Sequence, residues 1–97
     1  MSTASTILQQ LGGSRFVTMT GARNLMDVGN GLSFRIGRNT SGANCVKVTL
    51  DGGTDTYTVK FSRLRGTDLK LVEERDLVYW EDLPHLFESI TGLRTSL

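Results

Sequence analysis

At 97 residues, 38% hydrophobic and 22% charged, the chain has the length and composition of one globular domain, not of a disordered segment or of two domains. A single Cys excludes an intramolecular disulfide framework, and one Cys with one His excludes nearly every zinc site built from those ligands. No apolar run approaches the roughly 20 residues of a membrane span, residues 1–5 lack the features of a signal peptide, and a net charge of +1 selects no partner, so a cytoplasmic protein without metal or cofactor is expected.

A short helix is predicted over residues 3–11. Thr3 or Ser5 can cap it, Ile7, Leu8 and Leu11 form its apolar stripe, and Gly12-Gly13 stop it. Residues 15–20 are rich in β-branched and apolar side chains and read as a strand, while 21–28 is ambiguous. Gly29-Asn30-Gly31 is the strongest hairpin signal, with Asn30 and Gly31 suited to the positive φ of a type I′ turn. Strands are predicted over 32–38, 45–50, 56–63 and 67–72, separated by a polar loop at 39–44 and by turns around Gly52-Gly53 and Gly66. Connections this short favour antiparallel neighbours. A helix over 82–91 closes the pattern. Leu83, Leu86, Phe87 and Ile90 form its apolar face, Pro84 falls in its first turn, and Gly92 supplies a left-handed stop.

Strand alternation assigns the two faces of the sheet. Leu32, Phe34, Ile36, Val46, Val48, Leu50, Tyr57, Val59, Phe61, Leu69 and Leu71 point one way and need a cover, which two amphipathic helices can supply. The expected architecture is therefore α+β, a single antiparallel sheet of about five strands with a short N-terminal and a C-terminal helix packed on one face. The other face carries Arg35, Lys47, Lys60 and Lys70 among Ser and Thr residues. Arg23 and Arg38 extend that basic set. Cations mixed with hydroxyls can track a phosphate backbone. The same pattern also suits any solvated sheet face, and no aromatic residue joins it to stack on bases.

Charge is divided unevenly along the chain. Residues 1–50 hold five basic side chains against Asp27 alone, and residues 51–97 hold six basic against nine acidic. The acidic centre is 73–88. Such asymmetry can create a basic contact surface and an acidic back, although helix-end acids account for part of it.

Catalytic groupings do not assemble from these residues. His85 falls on the polar side of the last helix, Cys45 has no nearby base in sequence, and Asp51 and Asp55 bracket a turn without the calcium-loop pattern. A non-enzymatic protein is expected. Trp80, with Val78, is expected to pack between the sheet and the last helix.

Several segments together resemble a known family. They are Ile7-Leu8-Gln9-Gln10-Leu11-Gly12-Gly13, Phe16-Val17-Thr18-Met19-Thr20-Gly21-Ala22-Arg23-Asn24, Gly31-Leu32-Ser33-Phe34-Arg35-Ile36-Gly37-Arg38-Asn39, and Phe87-Glu88-Ser89-Ile90-Thr91-Gly92-Leu93-Arg94-Thr95-Ser96-Leu97. Over nearly the whole chain this resembles a family of small proteins of unknown function encoded by phages and mobile elements. The resemblance implies a complete domain acting inside a bacterial cell and implies no activity. By association, proteins of that kind act by binding, on nucleic acid or as inhibitors of host machinery, anti-CRISPR proteins included. Two expectations follow. The first is a phage or mobile-element accessory protein that binds DNA or RNA through Arg23, Arg35, Arg38, Lys47, Lys60 and Lys70. The second is an inhibitor that binds a host protein or ribonucleoprotein, with Trp80 a potential anchor. A homodimer burying a sheet edge or part of the open face is compatible with both.

Overall fold

The computed structural model describes residues 3–37 and 39–93. Three helices and five strands follow one another as α1 (Thr3–Leu11), α2 (Ser14–Thr20), β1 (Arg23–Asp27), β2 (Gly31–Arg35), β3 (Cys45–Asp51), β4 (Thr56–Arg65), β5 (Asp68–Val78) and α3 (Leu83–Thr91), the last preceded by a 3-10 turn at Trp80–Asp82. The strands form one antiparallel meander in the order β1-β2-β3-β4-β5. The α+β architecture with helices on one sheet face is as the alternation predicts. The core joins Ile7, Leu11, Phe16, Leu83 and Phe87 from the helices to Leu32, Phe34, Val46, Val48, Val59 and Phe61 from the sheet. Phe16 lies at its centre, edge-on to Phe34 at 5.4 Å and to Phe87 at 5.1 Å between ring centroids.

Residues 15–20 are helical rather than extended. Within α2 the buried positions are Phe16 and Thr20, a spacing of one helical turn, whereas Val17 and Met19 are only partly covered. The Thr20 hydroxyl donates to the Phe16 carbonyl at 2.7 Å, and Gly21 ends the helix at φ 70° with its N–H on Val17. Seating Phe16 between two rings outweighs the β preference of Val17, Thr18 and Thr20. The first strand is instead β1, in the segment that was ambiguous in sequence.

The hairpin at 28–30 forms, with a different tip. Positive φ falls on Gly29, not on Asn30 or Gly31. The Asp27 carboxylate accepts the Gly29 N–H at 2.8 Å. Gly31 has another task, because a Cβ there would lie 2.0 Å from the Val48 carbonyl oxygen.

β5 departs most from expectation. It runs to Val78, and two register shifts interrupt its pairing with β4. The shift between Phe61 and Ser62 places Leu71 opposite Ser62 and Leu69 opposite Leu64, so both leucines lie on the open face, 51% and 65% exposed. Lys70 correspondingly leaves that face and lies opposite Arg63 on the helix side. Trp80 is not packed beneath the helix: it is 54% exposed, while Val78 is buried. Among the described residues, no helix is long and apolar enough to cross a membrane.

Candidate nucleic-acid interface

Ladder register fixes the open face. One row across the sheet runs Ser33, Lys47, Lys60, Glu74, and the next runs Arg35, Cys45, Ser62, Leu71, with Arg23 opposite Arg35 on β1. Ser33, Cys45, Lys47, Lys60, Ser62, Leu64 and Leu69 border a hollow of about 380 Å³. The face is thus amphipathic, two ammonium groups beside an aliphatic floor. Arg35 is half-buried, and its Nε is sealed from solvent with no hydrogen-bond partner among the described residues.

The meander gathers further cations at one end of the sheet. There β1 begins at Arg23, β2 ends at Arg35, β4 ends in Arg63 and Arg65, and β5 begins with Asp68 and Lys70. Residues 39–44 border this end, tied internally and anchored to two other elements. The Asn39 amide donates to the Gly37 carbonyl at 2.9 Å and the Ala43 carbonyl at 2.6 Å, tying the loop to itself. Asn44 clasps Leu64 from both directions: its Nδ2 donates to the Leu64 carbonyl at 2.9 Å, and its Oδ1 accepts the Leu64 N–H at 2.7 Å. Thr40 donates to the Thr91 carbonyl through its N–H at 3.2 Å and its hydroxyl at 3.0 Å, anchoring the loop to α3. Because Leu64 lies between Arg63 and Arg65, the Asn44 clasp sets both arginines against the loop. A polar cleft of about 460 Å³ results, with Arg23, Arg63 and Arg65 on its walls.

Charge is segregated by the ends of the sheet as well as by its faces. The opposite end carries Asp27, Asp51, Asp55, Asp76, Glu81 and Asp82, at the far termini of the same strands and in the turn after β5. Three cation pairs stand directly opposite one another in the ladders: Arg23 with Arg35, Lys47 with Lys60, and Arg63 with Lys70. Opposed side chains in a sheet have Cβ atoms about 4.5–5.5 Å apart, and like charges there are destabilising. Among the described residues the one ion pair is elsewhere, between Glu73 and Arg75, where the guanidinium hydrogen bond holds the Glu73 carboxyl below its ordinary value. Asp68, opposite Arg65, is the one carboxylate among the described residues at the basic end.

Of the residues singled out in the sequence, Arg35, Lys47 and Lys60 share the open face. Arg23 lies in register with Arg35 and lines the end cleft. Lys70 lies on the other face, and Arg38 falls outside the described residues. Arg63 and Arg65 were missed. Their signal was the alternation Tyr57, Val59, Phe61 continued by two arginines, which means that β4 outruns the core it covers. Cys45 borders the open-face hollow, while His85 lies beside the groove between β5 and α3. No group of three or more His, Cys, Asp or Glu side chains is placed to hold a metal among the described residues.

A second surface lies at the acidic end. Leu77, Tyr79 and Trp80 are 62%, 59% and 54% exposed, beside Asp76, Glu81 and Asp82. Leu77 has φ 54°, a conformation that is strained for a leucine. No family model, curated protein or solved structure matches the chain.

Proposed function

We propose that the protein is a non-catalytic nucleic-acid-binding accessory protein. Its contact surface begins on the open face at Lys47, Lys60 and Arg35 and continues over the basic end to Arg23, Arg63 and Arg65. One observation carries this reading: three of the four ladders each oppose two cations, and none of these six side chains forms an ion pair among the described residues. Such pairs cost folding stability, and a polyanion offsets that cost when it binds. Phosphates bound by Lys and Arg release condensed counterions, which supplies affinity without reading sequence. Leu64, Leu69 and Leu71 offer aliphatic contact to unstacked bases beside the ammonium groups.

The test is fluorescence anisotropy with labelled single-stranded DNA, duplex DNA and RNA at two salt concentrations. Micromolar or tighter binding that weakens steeply with salt is expected. Absence of binding at low salt refutes the reading.

A second reading rests on the exposed Leu77, Tyr79 and Trp80 with their acidic neighbours. Trp and Tyr are the preferred anchors of protein interfaces, and acids around them suit a basic host protein, as in an anti-CRISPR-type inhibitor of a host-defence system. It predicts a stoichiometric protein complex that Trp80→Ala abolishes, formed by a protein with no affinity for free oligonucleotides.

A further inference from the structure

We infer that the cleft between residues 39–44 and the end of β4 is a seat for a terminal phosphate of the bound strand, a phosphomonoester dianion. The inference rests on the nucleic-acid reading above and assigns a distinct task to one part of that surface. Arg23, Arg63 and Arg65 come from two different strands and converge on one concavity of about 460 Å³, enough room for a strand's terminal phosphate and part of its sugar. The open face differs: Lys47 and Lys60 border a hollow with an aliphatic floor, suited to an internal phosphodiester passing over it.

Charge matching separates the two ligands. An internal phosphodiester carries one negative charge, whereas a terminal phosphate near neutral pH carries about 1.5 to 2 and three acceptor oxygens. Three arginines lining one cavity match the second. Guanidinium forks also pair with phosphate oxygens two at a time, which an ammonium does not do. The cleft is prearranged for this. Asn39 and Asn44 are spent on holding the loop and β4 in place, and Gly42, with nothing within 4 Å of where a Cβ would be, leaves bare backbone at the wall.

The experiment compares one labelled oligonucleotide sequence with a 5′-phosphate, with a 3′-phosphate and with hydroxyl groups at both ends. Wild-type protein, Arg63→Gln and Arg65→Gln are each titrated, with thermal melts confirming the fold. A terminal phosphate is expected to tighten wild-type binding by about tenfold, the effect of one additional charge-assisted contact. Arg63→Gln and Arg65→Gln each weaken every strand through the lost phosphate contact, and should in addition bring the affinity ratio of phosphate-ended to hydroxyl-ended strand down to about one, which is the quantity read. The arm that shows the gain identifies the strand end. Equal affinity for all three strands overturns the inference and leaves the nucleic-acid reading standing. A gain that survives both substitutions also overturns it. If no strand binds at low salt, both fail together.

Discussion

Reversing Lys47 to Glu should raise the stability of the protein while weakening its binding, two effects of opposite sign from one substitution. Lys47 stands directly opposite Lys60, and Lys60 stands opposite Glu74 on its other side. The change converts a row of Lys, Lys, Glu into Glu, Lys, Glu. A cross-strand charge pair contributes about 0.2–1 kcal/mol, unfavourable when like and favourable when opposite. Lys47 and Lys60 are both exposed, so screening keeps the reversal in the lower part of the combined range, about 0.5–1 kcal/mol. For a domain of this size that is a rise in Tm of about 2–8 °C at low ionic strength, and the rise should shrink with added salt. Binding should move the other way, because one phosphate contact is lost. The slope of log affinity against log salt should fall by about 0.7 for a single strand or 0.9 for a duplex. Thermal melts and anisotropy titrations on one preparation measure both. A lowered Tm would refute the like-charge reading of the ladder, and an unchanged salt slope would remove Lys47 from the interface.

Other perturbations separate what holds the fold from what serves the surface. Asn44→Ala leaves the N–H and carbonyl of Leu64 without their partner and should cost about 2 kcal/mol in urea unfolding, with weaker binding because Arg63 and Arg65 lose their fixed place. Gly31→Ala forces a methyl group against the backbone of β3 and should cost about 3 kcal/mol or prevent folding, as read by circular dichroism. Trp80→Ala removes an exposed side chain and should shift Tm by no more than the equivalent of about 0.5 kcal/mol. Burial raises the pKa of Tyr57 above 10.0, and its hydroxyl donates to Gln10 Oε1 at 2.7 Å. A raised folded pKa contributes stability that is complete below the unfolded value and is lost as pH rises through the folded one. Stability should therefore decline above about pH 10, and Tyr57→Phe should reduce that decline in alkaline melts.

Much of the sheet was legible because period-2 alternation is strict in β2, β3 and the first part of β4. Leu32, Phe34, Val46, Val48, Val59 and Phe61 are all buried as alternation requires. The last helix was legible from its apolar spacing and from Gly92, which takes φ 74°. What failed depends on neighbours distant in sequence. Phe16 selects a helix because Phe34 and Phe87 form its seat, and nothing local to residues 15–20 records those rings. In β5 the register shift beside Ser62 puts Leu69, Lys70 and Leu71 on the faces opposite to those that alternation assigns. That exchange exposes Leu69 and Leu71 and removes Lys70 from the open face. Lys47, Lys60 and Arg35 were readable as one surface because the β2–β3 and β3–β4 ladders that join them run without a shift. The cleft was not readable, because it depends on Asn44 reaching across to Leu64.

The central claim is that nucleic acid meets the open face and the basic end of the sheet. A 15N–1H correlation spectrum of labelled protein, recorded during titration with a short single-stranded oligonucleotide, tests it most directly. The account predicts shift changes at Arg23, Arg35, Lys47, Lys60, Arg63 and Arg65 and in the loop around Asn39 and Asn44, with Asp27, Asp51 and Asp55 unmoved. Changes concentrated instead at Leu77, Tyr79 and Trp80, or no changes at low salt, would contradict it.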